Sequence, residues 1–201
     1  MDSIEGFILV GGESRRMGTD KARLTLHGQT FVERLAVQLS AVARSISVVG
    51  DPAIGAQNNL QTVADVYPRW GALGGVHAAL AACAAEWALI VACDFPFTTS
   101  QLFNRMAHLR EDFEAVAPIQ EDQIPQPLCA LYRIAACLPL TEEMIKSGER
   151  KPVALLQSVR TRWVPFAEIQ DLPEAERFFD NINTPEDYAR IIEKGTVTRM
   201  I

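Results

Sequence analysis

Apolar residues recur along the chain in two alternating rhythms. Short continuous runs suit buried strands, and i, i+4 repeats suit helices. The first run, Ile4 to Val10, ends in Gly11-Gly12. A helix is expected from Thr30, because Thr30 and Glu33 have capping-box spacing and Phe31, Leu35 and Leu39 then repeat every four residues, ending near Arg44. Strand signals follow at Ser45 to Val49 and, more weakly, at Leu60 to Val63. An Ala-rich helix to about Ala85 leads into the strongly apolar strand Ala88 to Ala92. Further on, the pattern predicts a helix from Thr99 to Leu109 and strands near Glu114 to Pro118 and Pro127 to Arg133. Helices follow around Ile134 to Lys146 and Pro152 to Gln157, then a strand near Thr161 to Phe166. A last helix is signalled by Thr184 as N-cap, Pro185 at its first position, and Glu186 and Asp187 at its positive end. Strands alternating with helices, with no repeat or low-complexity linker, predict an α/β protein with a mostly parallel sheet covered on both faces.

Length and composition narrow the class. For 201 residues one domain is the natural count, and a chain of this size buries roughly 70% of its unfolded surface, enough for a core without staples. With 48% hydrophobic and 22% charged residues the chain is neither disordered nor fibrous. Its 19 basic and 25 acidic residues give a net charge of −6, the wrong sign for a protein whose main partner is a nucleic-acid backbone. Cys83, Cys93, Cys129 and Cys137 show no Cys-x-x-Cys or Cys/His metal spacing and read as reduced thiols of a cytoplasmic protein. The acidic start, Met1-Asp2-Ser3-Ile4-Glu5, lacks a secretory pattern. The nearly uncharged stretch from Gly71 to Phe97 is long enough to span a bilayer, but His77 and Glu86 interrupt it and its halves read as helix then strand, so no membrane partner is expected.

The candidate chemistry gathers in the loop after the first strand, Gly11-Gly12-Glu13-Ser14-Arg15-Arg16-Met17-Gly18-Thr19-Asp20-Lys21. Glycines let a backbone approach a ligand and turn its N–H groups toward an anion, and here three cations follow within seven residues. At a strand's carboxyl end this points to a polyanionic small ligand in the crevice of an α/β sheet. A solvated basic turn is the competing reading. The spacing fits neither a Walker A loop, nor Gly-x-Gly-x-x-Gly, nor a Gly-x-Ser-x-Gly elbow.

Asp94, just past the most buried strand, would face the same crevice, where a carboxylate beside phosphates holds Mg²⁺. Alternatively, it caps the next helix or shapes a turn. Trp70-Gly71-Ala72-Leu73-Gly74-Gly75 leads into a helix whose N-terminus offers donors to a nucleotide, although packing alone also explains its glycines. Asn181-Ile182-Asn183 offers amide oxygens to a metal or a ribose, and Asn183 equally suits the turn before the last helix.

Read together, Gly11-Gly12-x-Ser14-x-Arg16-Met17-Gly18-x-Asp20-Lys21 resembles the nucleotide-binding signature of the molybdenum cofactor guanylyltransferases, within the wider nucleotidyltransferase fold family. Gly71-x-Leu73-Gly74-Gly75, Cys93-Asp94-x-Pro96, Pro127-Leu128-x-Ala130-Leu131-Tyr132 and Asn181-x-Asn183-Thr184-Pro185-Glu186-Asp187 agree in order, so the likeness runs from about residue 5 to 192. The resemblance implies a single-domain, Rossmann-like three-layer sandwich of the nucleotidyltransferase or GT-A-like kind over residues 1–194, with 195–201 a tail. It implies Lys21 as a triphosphate ligand, Arg16, Lys21 and Asp94 as the catalytic set, and Asp94 with Asn183 as ligands of Mg²⁺. Leu9, Val10, Gly11, Gly12, Asp65 and Gly74 would contact the nucleotide, and the paired Gly11-Gly12 resembles the guanylyl rather than the cytidylyl version. Arg150 and Lys151, in a turn similar to the family's acceptor-side segment, would meet the acceptor phosphate, where the competing reading is a plain helix cap by Gly148.

Val10 stands where the family usually has Ala, Ala72 where it often has Pro, and Gly50 where a base-contacting Asn is often found. The implied reaction transfers GMP from GTP to the phosphate of molybdenum-bound molybdopterin in a cytoplasmic monomer or weak oligomer, with transient contact to other cofactor-biosynthesis proteins left open. The acceptor is already an anion, so no general base is required, in keeping with the scattered His27, His77 and His108. Rival readings are a cytidylyl or sugar-phosphate nucleotidyltransferase and a nucleotide-binding regulatory protein without turnover.

Overall fold

A computed structural model of the protein describes residues 3–11, 24–180, 182, 184 and 186–190. The strands are β1 (Ile4–Leu9), β2 (Thr25–Leu26), β3 (Gln29–Thr30), β4 (Ile46–Val49), β5 (Gln61–Val63), β6 (Trp87–Ala92), β7 (Ala115–Ile119), β8 (Cys129–Arg133) and β9 (Thr161–Pro165). The helices are α1 (Phe31–Leu39), α2 (Pro52–Gln57), α3 (Ala72–Ala82), α4 (Ser100–His108), α5 (Ile134–Lys146) and α6 (Pro152–Ser158). Seven strands form one sheet in the order β5-β4-β1-β6-β8-β7-β9, and β2 and β3 pair as a separate hairpin. All neighbours in the seven-stranded sheet are parallel except β8, which runs antiparallel between β6 and β7.

Period-two alternation decides which residue faces which helical layer. Ile4 and Ile8 of β1, Leu89 and Val91 of β6, and Leu131 of β8 enter one core with Leu35 and Leu39 of α1 and Phe103 and Met106 of α4. Phe7 of β1, Ala88 and Ile90 of β6, and Tyr132 of β8 enter the opposite core with Val76 and Leu80 of α3, Cys137 of α5 and Leu155 and Leu156 of α6. This is the expected three-layer α/β arrangement. A fully buried side chain such as Leu35 contributes about 1.5–3 kcal/mol through its removal from water.

Several boundaries differ from the pattern-based expectation. The capping box at α1 is present: the Glu33 N–H donates to Thr30 Oγ1 (3.1 Å) and the Thr30 N–H to Glu33 Oε2 (2.7 Å). The helix ends at Leu39 rather than near Arg44, where Ser40 turns its hydroxyl back onto the Val37 carbonyl (2.7 Å), a local bond that competes with helix continuation. Similarly, α3 stops at Ala82, short of Ala85. The expected strand from Pro127 begins at Cys129. The hairpin and α2 were not predicted: two-residue strands and a six-residue helix are too short for periodicity, although Asp51 caps α2 through the Ala53 N–H (2.8 Å) with Pro52 at its first turn. At the last helix Thr184 is the expected cap, since Asp187 N–H donates to Thr184 Oγ1 (3.1 Å) and Thr184 N–H to Asp187 Oδ2 (3.0 Å). Residues 186–190 are helical. Pro185 and the tail 195–201 lie outside the described residues.

The Gly71 to Phe97 stretch is indeed a helix followed by a strand, and among the described residues no helix is long and apolar enough to cross a membrane. All four cysteines are free thiols. Burial pushes Cys83, Cys129 and Cys137 up to about 12, so these three carry no thiolate at neutral pH.

Candidate functional site

The strand order reverses at β1: β4 and β5 lie on one side of it and β6 on the other. Such a switch point leaves a crevice beyond the carboxyl ends of the strands, where open α/β sheets bind ligands. Hydrogen bonds continue across this edge past the ends of the strands. Gly50 N–H donates to Val63 O (3.0 Å), Val10 N–H to Val49 O (2.9 Å), Cys93 N–H to Leu9 O (3.0 Å) and Ala92 N–H to Leu128 O (2.8 Å). The crevice floor is therefore a rigid backbone ribbon rather than a set of loose loop starts.

The residues singled out from the sequence fall on this edge to differing degrees. Leu9 ends β1 half-buried, Val10 is buried, and Gly11 is exposed at φ +125°, with no atom of the described residues within 4 Å of the position a Cβ would take. A side chain at Gly11 would be strained by that φ. Asp65 is exposed two residues beyond β5, and half-buried Asp94 lies two residues beyond β6. The N-cap of α4 is Thr99, which excludes the cap reading of Asp94. Asp94 does sit in a turn, where Phe95 N–H donates to Ala92 O (3.2 Å). Gly12, Arg15, Arg16, Lys21, Asn181 and Asn183 lie outside the described residues.

Helix α3 starts at this edge, its N-cap Gly71 at φ +73°, and among the described residues no side chain caps its first turn, a helix N-terminus of the kind that offers N–H groups to an anion. Gly75 rests against Leu9, where a Cβ would meet the Leu9 methyls at 3.7 Å. Gly74 is buried, and a Cβ there would come within 2.9 Å of Trp70 Cβ, so its small size serves packing.

Arg150 and Lys151, expected at the acceptor side or else as solvated charges beside a helix cap, lie in a turn that the fold joins to the loop before α3. The Trp70 indole N–H donates to Glu149 O (2.8 Å), and the Arg150 guanidinium lies over the Trp70 ring at 4.3 Å. Ser147 is the C-cap of α5 and Gly148 follows it at φ +94°, with Glu149 N–H donating to Met144 O (2.9 Å). The Glu149 carboxylate accepts from the N–H groups of Lys151 (2.8 Å) and Arg150 (2.7 Å), bonds that hold its pKa below the usual carboxylate range. The motif from Pro127 to Tyr132 is structural: the Tyr132 hydroxyl donates to Pro127 O (2.6 Å), and burial pushes its phenol well above the ordinary value.

Among the described residues no group of three or more His, Cys, Asp or Glu could cage a metal. One half-buried carboxylate at the crevice suits a hard cation that takes oxygen ligands and draws most of them from phosphates and water, so the donor set fits Mg²⁺.

Comparison with known proteins agrees with the geometry. The sequence matches the family described as "MobA-like NTP transferase domain" over residues 6–162. A relative from Pelotomaculum thermopropionicum, named "Probable molybdenum cofactor guanylyltransferase", is 33% identical, the alignment covering 96% of this chain and 95% of the relative. Another from Desulfosudis oleivorans, named "Molybdenum cofactor guanylyltransferase", is 30% identical over 93% of each. Among solved structures, "Molybdopterin-guanine dinucleotide biosynthesis protein A" from Archaeoglobus fulgidus superposes with a TM-score of 0.80 at 24% identity, over 96% of this chain and 99% of that one. A "4-diphosphocytidyl-2C-methyl-D-erythritolsynthase" from Anaerococcus prevotii shares the fold at TM-score 0.70 and 15% identity, over 98% and 99%.

Proposed function

Since the chain belongs to the MobA-like NTP transferase family, we propose that it transfers GMP from GTP to the phosphate of molybdenum-bound molybdopterin, forming the guanine dinucleotide cofactor and releasing pyrophosphate. One observation carries the substrate assignment. Relatives matched over at least nine-tenths of their length at 30–33% identity bear the guanylyltransferase name, whereas the cytidylyl likeness is one of fold at 15% identity.

In the reaction an oxygen of the acceptor phosphate attacks the α-phosphorus of GTP. The bond from that phosphorus to the bridging oxygen of the β-phosphate breaks, and pyrophosphate leaves with the electron pair. The protein's task is to gather mutually repelling anions and to stabilise the charge that moves onto the leaving group. In this reading Leu9 to Gly12 and Asp65 hold the guanosine, the N–H groups of the glycine loop and the start of α3 face the phosphates, and Lys21 and Arg16 neutralise the triphosphate. Arg150 and Lys151 receive the acceptor phosphate. Asp94 with Asn183 would hold Mg²⁺, which when bound supplies charge neutralisation to the phosphate oxygens. No side chain need act as a covalent nucleophile or general base, because the attacking oxygen is already anionic.

The test is to incubate the protein with metal-loaded molybdopterin, Mg²⁺ and each of the four nucleoside triphosphates, and to identify products by mass spectrometry. The guanine dinucleotide is expected with GTP, with the cytosine product at most a minor species. A predominant cytosine dinucleotide would overturn the base assignment, and firm GTP binding without any product would favour a regulatory role.

A further inference from the structure

We propose that Trp70 is a positioning residue, holding the Arg150 guanidinium at the rim of the nucleotide crevice, where it meets the acceptor phosphate. The proposal rests on the acceptor-side reading of Arg150 given above. Four contacts define the device. The indole N–H of Trp70 donates to Glu149 O at 2.8 Å, which ties the α5–α6 turn to the loop before α3. The Arg150 guanidinium carbon stands 4.3 Å from the centre of the Trp70 ring, within the range of a cation–π contact. Arg150 Nη1 donates to Arg69 O at 3.3 Å, fixing the rotation of the guanidinium over the ring. Trp70 itself is seated on Gly74, where even a Cβ would come within 2.9 Å of Trp70 Cβ.

The logic of the arrangement is entropic and geometric. Arg150 is exposed, and a free arginine would lose several rotatable bonds on meeting a phosphate. Laid on an aromatic face with one Nη hydrogen-bonded, the guanidinium is already ordered and keeps its other N–H groups for an anion. The device also sits at the correct end of the sheet. Trp70 precedes α3, whose Gly75 packs on Leu9 at the end of β1, so the stacked guanidinium is carried by the same segment that borders the crevice. A lysine at 150 would keep the charge and lose the planar stack.

The inference is tested on the full-length protein by two independent readouts. The first is the Arg150 Hε resonance in ¹⁵N-resolved spectra, which the Trp70 ring should shift upfield in the wild type. Trp70→Leu should abolish that shift and Trp70→Phe should retain most of it. The second is steady-state kinetics with metal-loaded molybdopterin as the varied substrate. Losing the stack and the indole hydrogen bond should raise the acceptor KM about tenfold in Trp70→Leu, with kcat and the KM for GTP changed less than about twofold. Trp70→Phe, which loses only the N–H, should raise it about two- to threefold.

Should Trp70→Leu fail to fold, Arg150→Lys, which loses the planar stack but keeps the indole hydrogen bond, tests the same device from an exposed position and should raise the acceptor KM about fourfold. If Arg150→Ala raises the acceptor KM while Trp70→Leu, or its substitute Arg150→Lys, does not, Arg150 acts without the clamp and the inference is overturned. If Arg150→Ala leaves the acceptor KM unchanged, the acceptor-side reading of Arg150 fails and the inference with it, whatever the resonance shows.

Discussion

Replacing Gly50 with asparagine, the base-contacting residue that the family resemblance would lead one to expect there, should destabilise this protein rather than improve its hold on GTP. Gly50 ends the β4 ribbon at φ +123°, a conformation that side chains rarely adopt, and a Cβ built on it falls 2.1 Å from Val10 O. Relieving that overlap to a contact of about 3 Å means parting the ends of β1 and β4 by nearly an ångström, where Val10 N–H donates to Val49 O at 2.9 Å and Gly50 N–H to Val63 O at 3.0 Å. Backbone strain of this type costs about 1–3 kcal/mol, and two weakened hydrogen bonds about 0.5–1.5 kcal/mol each, so the combined loss is about 2–6 kcal/mol. For a chain of this length that lowers Tm by roughly 10 °C.

Urea and thermal unfolding measure the loss, and calorimetry with GTP measures the consequence at the crevice. Gly50→Ala should behave like Gly50→Asn, because the two share the offending Cβ and differ in everything beyond it. An asparagine variant within about 0.5 kcal/mol of wild type, or one that binds GTP more tightly at unchanged stability, would refute the reasoning and restore the base-contact role to this position.

Three further outcomes are expected. Asp94→Asn should lower turnover by about 10²–10³-fold while metal-free nucleotide binding by calorimetry survives, since Asn serves a turn as well as Asp; unchanged activity would reduce Asp94 to that turn. Lys21→Ala should weaken triphosphate binding by about 1.5–3 kcal/mol with little change in Tm, and the reverse pattern would make Lys21 structural. Glu5, buried at the start of β1, should make stability pH-dependent. Burial raises its carboxyl, but the hydrogen bonds from Arg44 (2.7 Å) and the Ala84 N–H (2.8 Å) outweigh this and leave it below 4.5. Its stabilisation is therefore full above the unfolded value and lost as pH falls through the lower folded value, so the gap between wild type and Glu5→Gln in urea should close as the pH is lowered past the ordinary carboxylate range. A gap independent of pH would sink that assignment.

What the sequence made legible is what lies within a few residues. The Thr30–Glu33 box spans three residues, the Thr184–Asp187 cap likewise, and the uninterrupted apolar run of β6 declares a strand buried on both faces. Those local signals were enough to set Asp94 just past a strand's carboxyl end. Strand order was not legible in the same way. Nothing in Cys129–Arg133 distinguishes a strand running antiparallel between β6 and β7 from one added at the edge, because the partner is chosen by which faces remain uncovered once the others have paired. The length of α1 was misread for a local reason: the apolar Val42 continues the pattern, yet the Ser40 hydroxyl turns back on Val37 O.

The least legible feature is the one joining the acceptor-side turn to the crevice, since Trp70 and Glu149 are 79 positions apart and no spacing rule connects them. A helix end at Gly148 and an ordered Arg150 are not alternatives in this fold. Gly148, just past the C-cap Ser147, takes φ +94° and lets Glu149 N–H return to Met144 O, which ends α5. That same reversal turns the Glu149 carbonyl toward the Trp70 indole and its carboxylate under the N–H groups of the next two residues, leaving Arg150 lying across the ring. A left-handed residue closes the helix and, by closing it there, brings Arg150 onto the Trp70 ring. Gly148→Ala, strained at this φ by about 1–2 kcal/mol, should therefore disturb the Arg150 stack as well as the stability of α5.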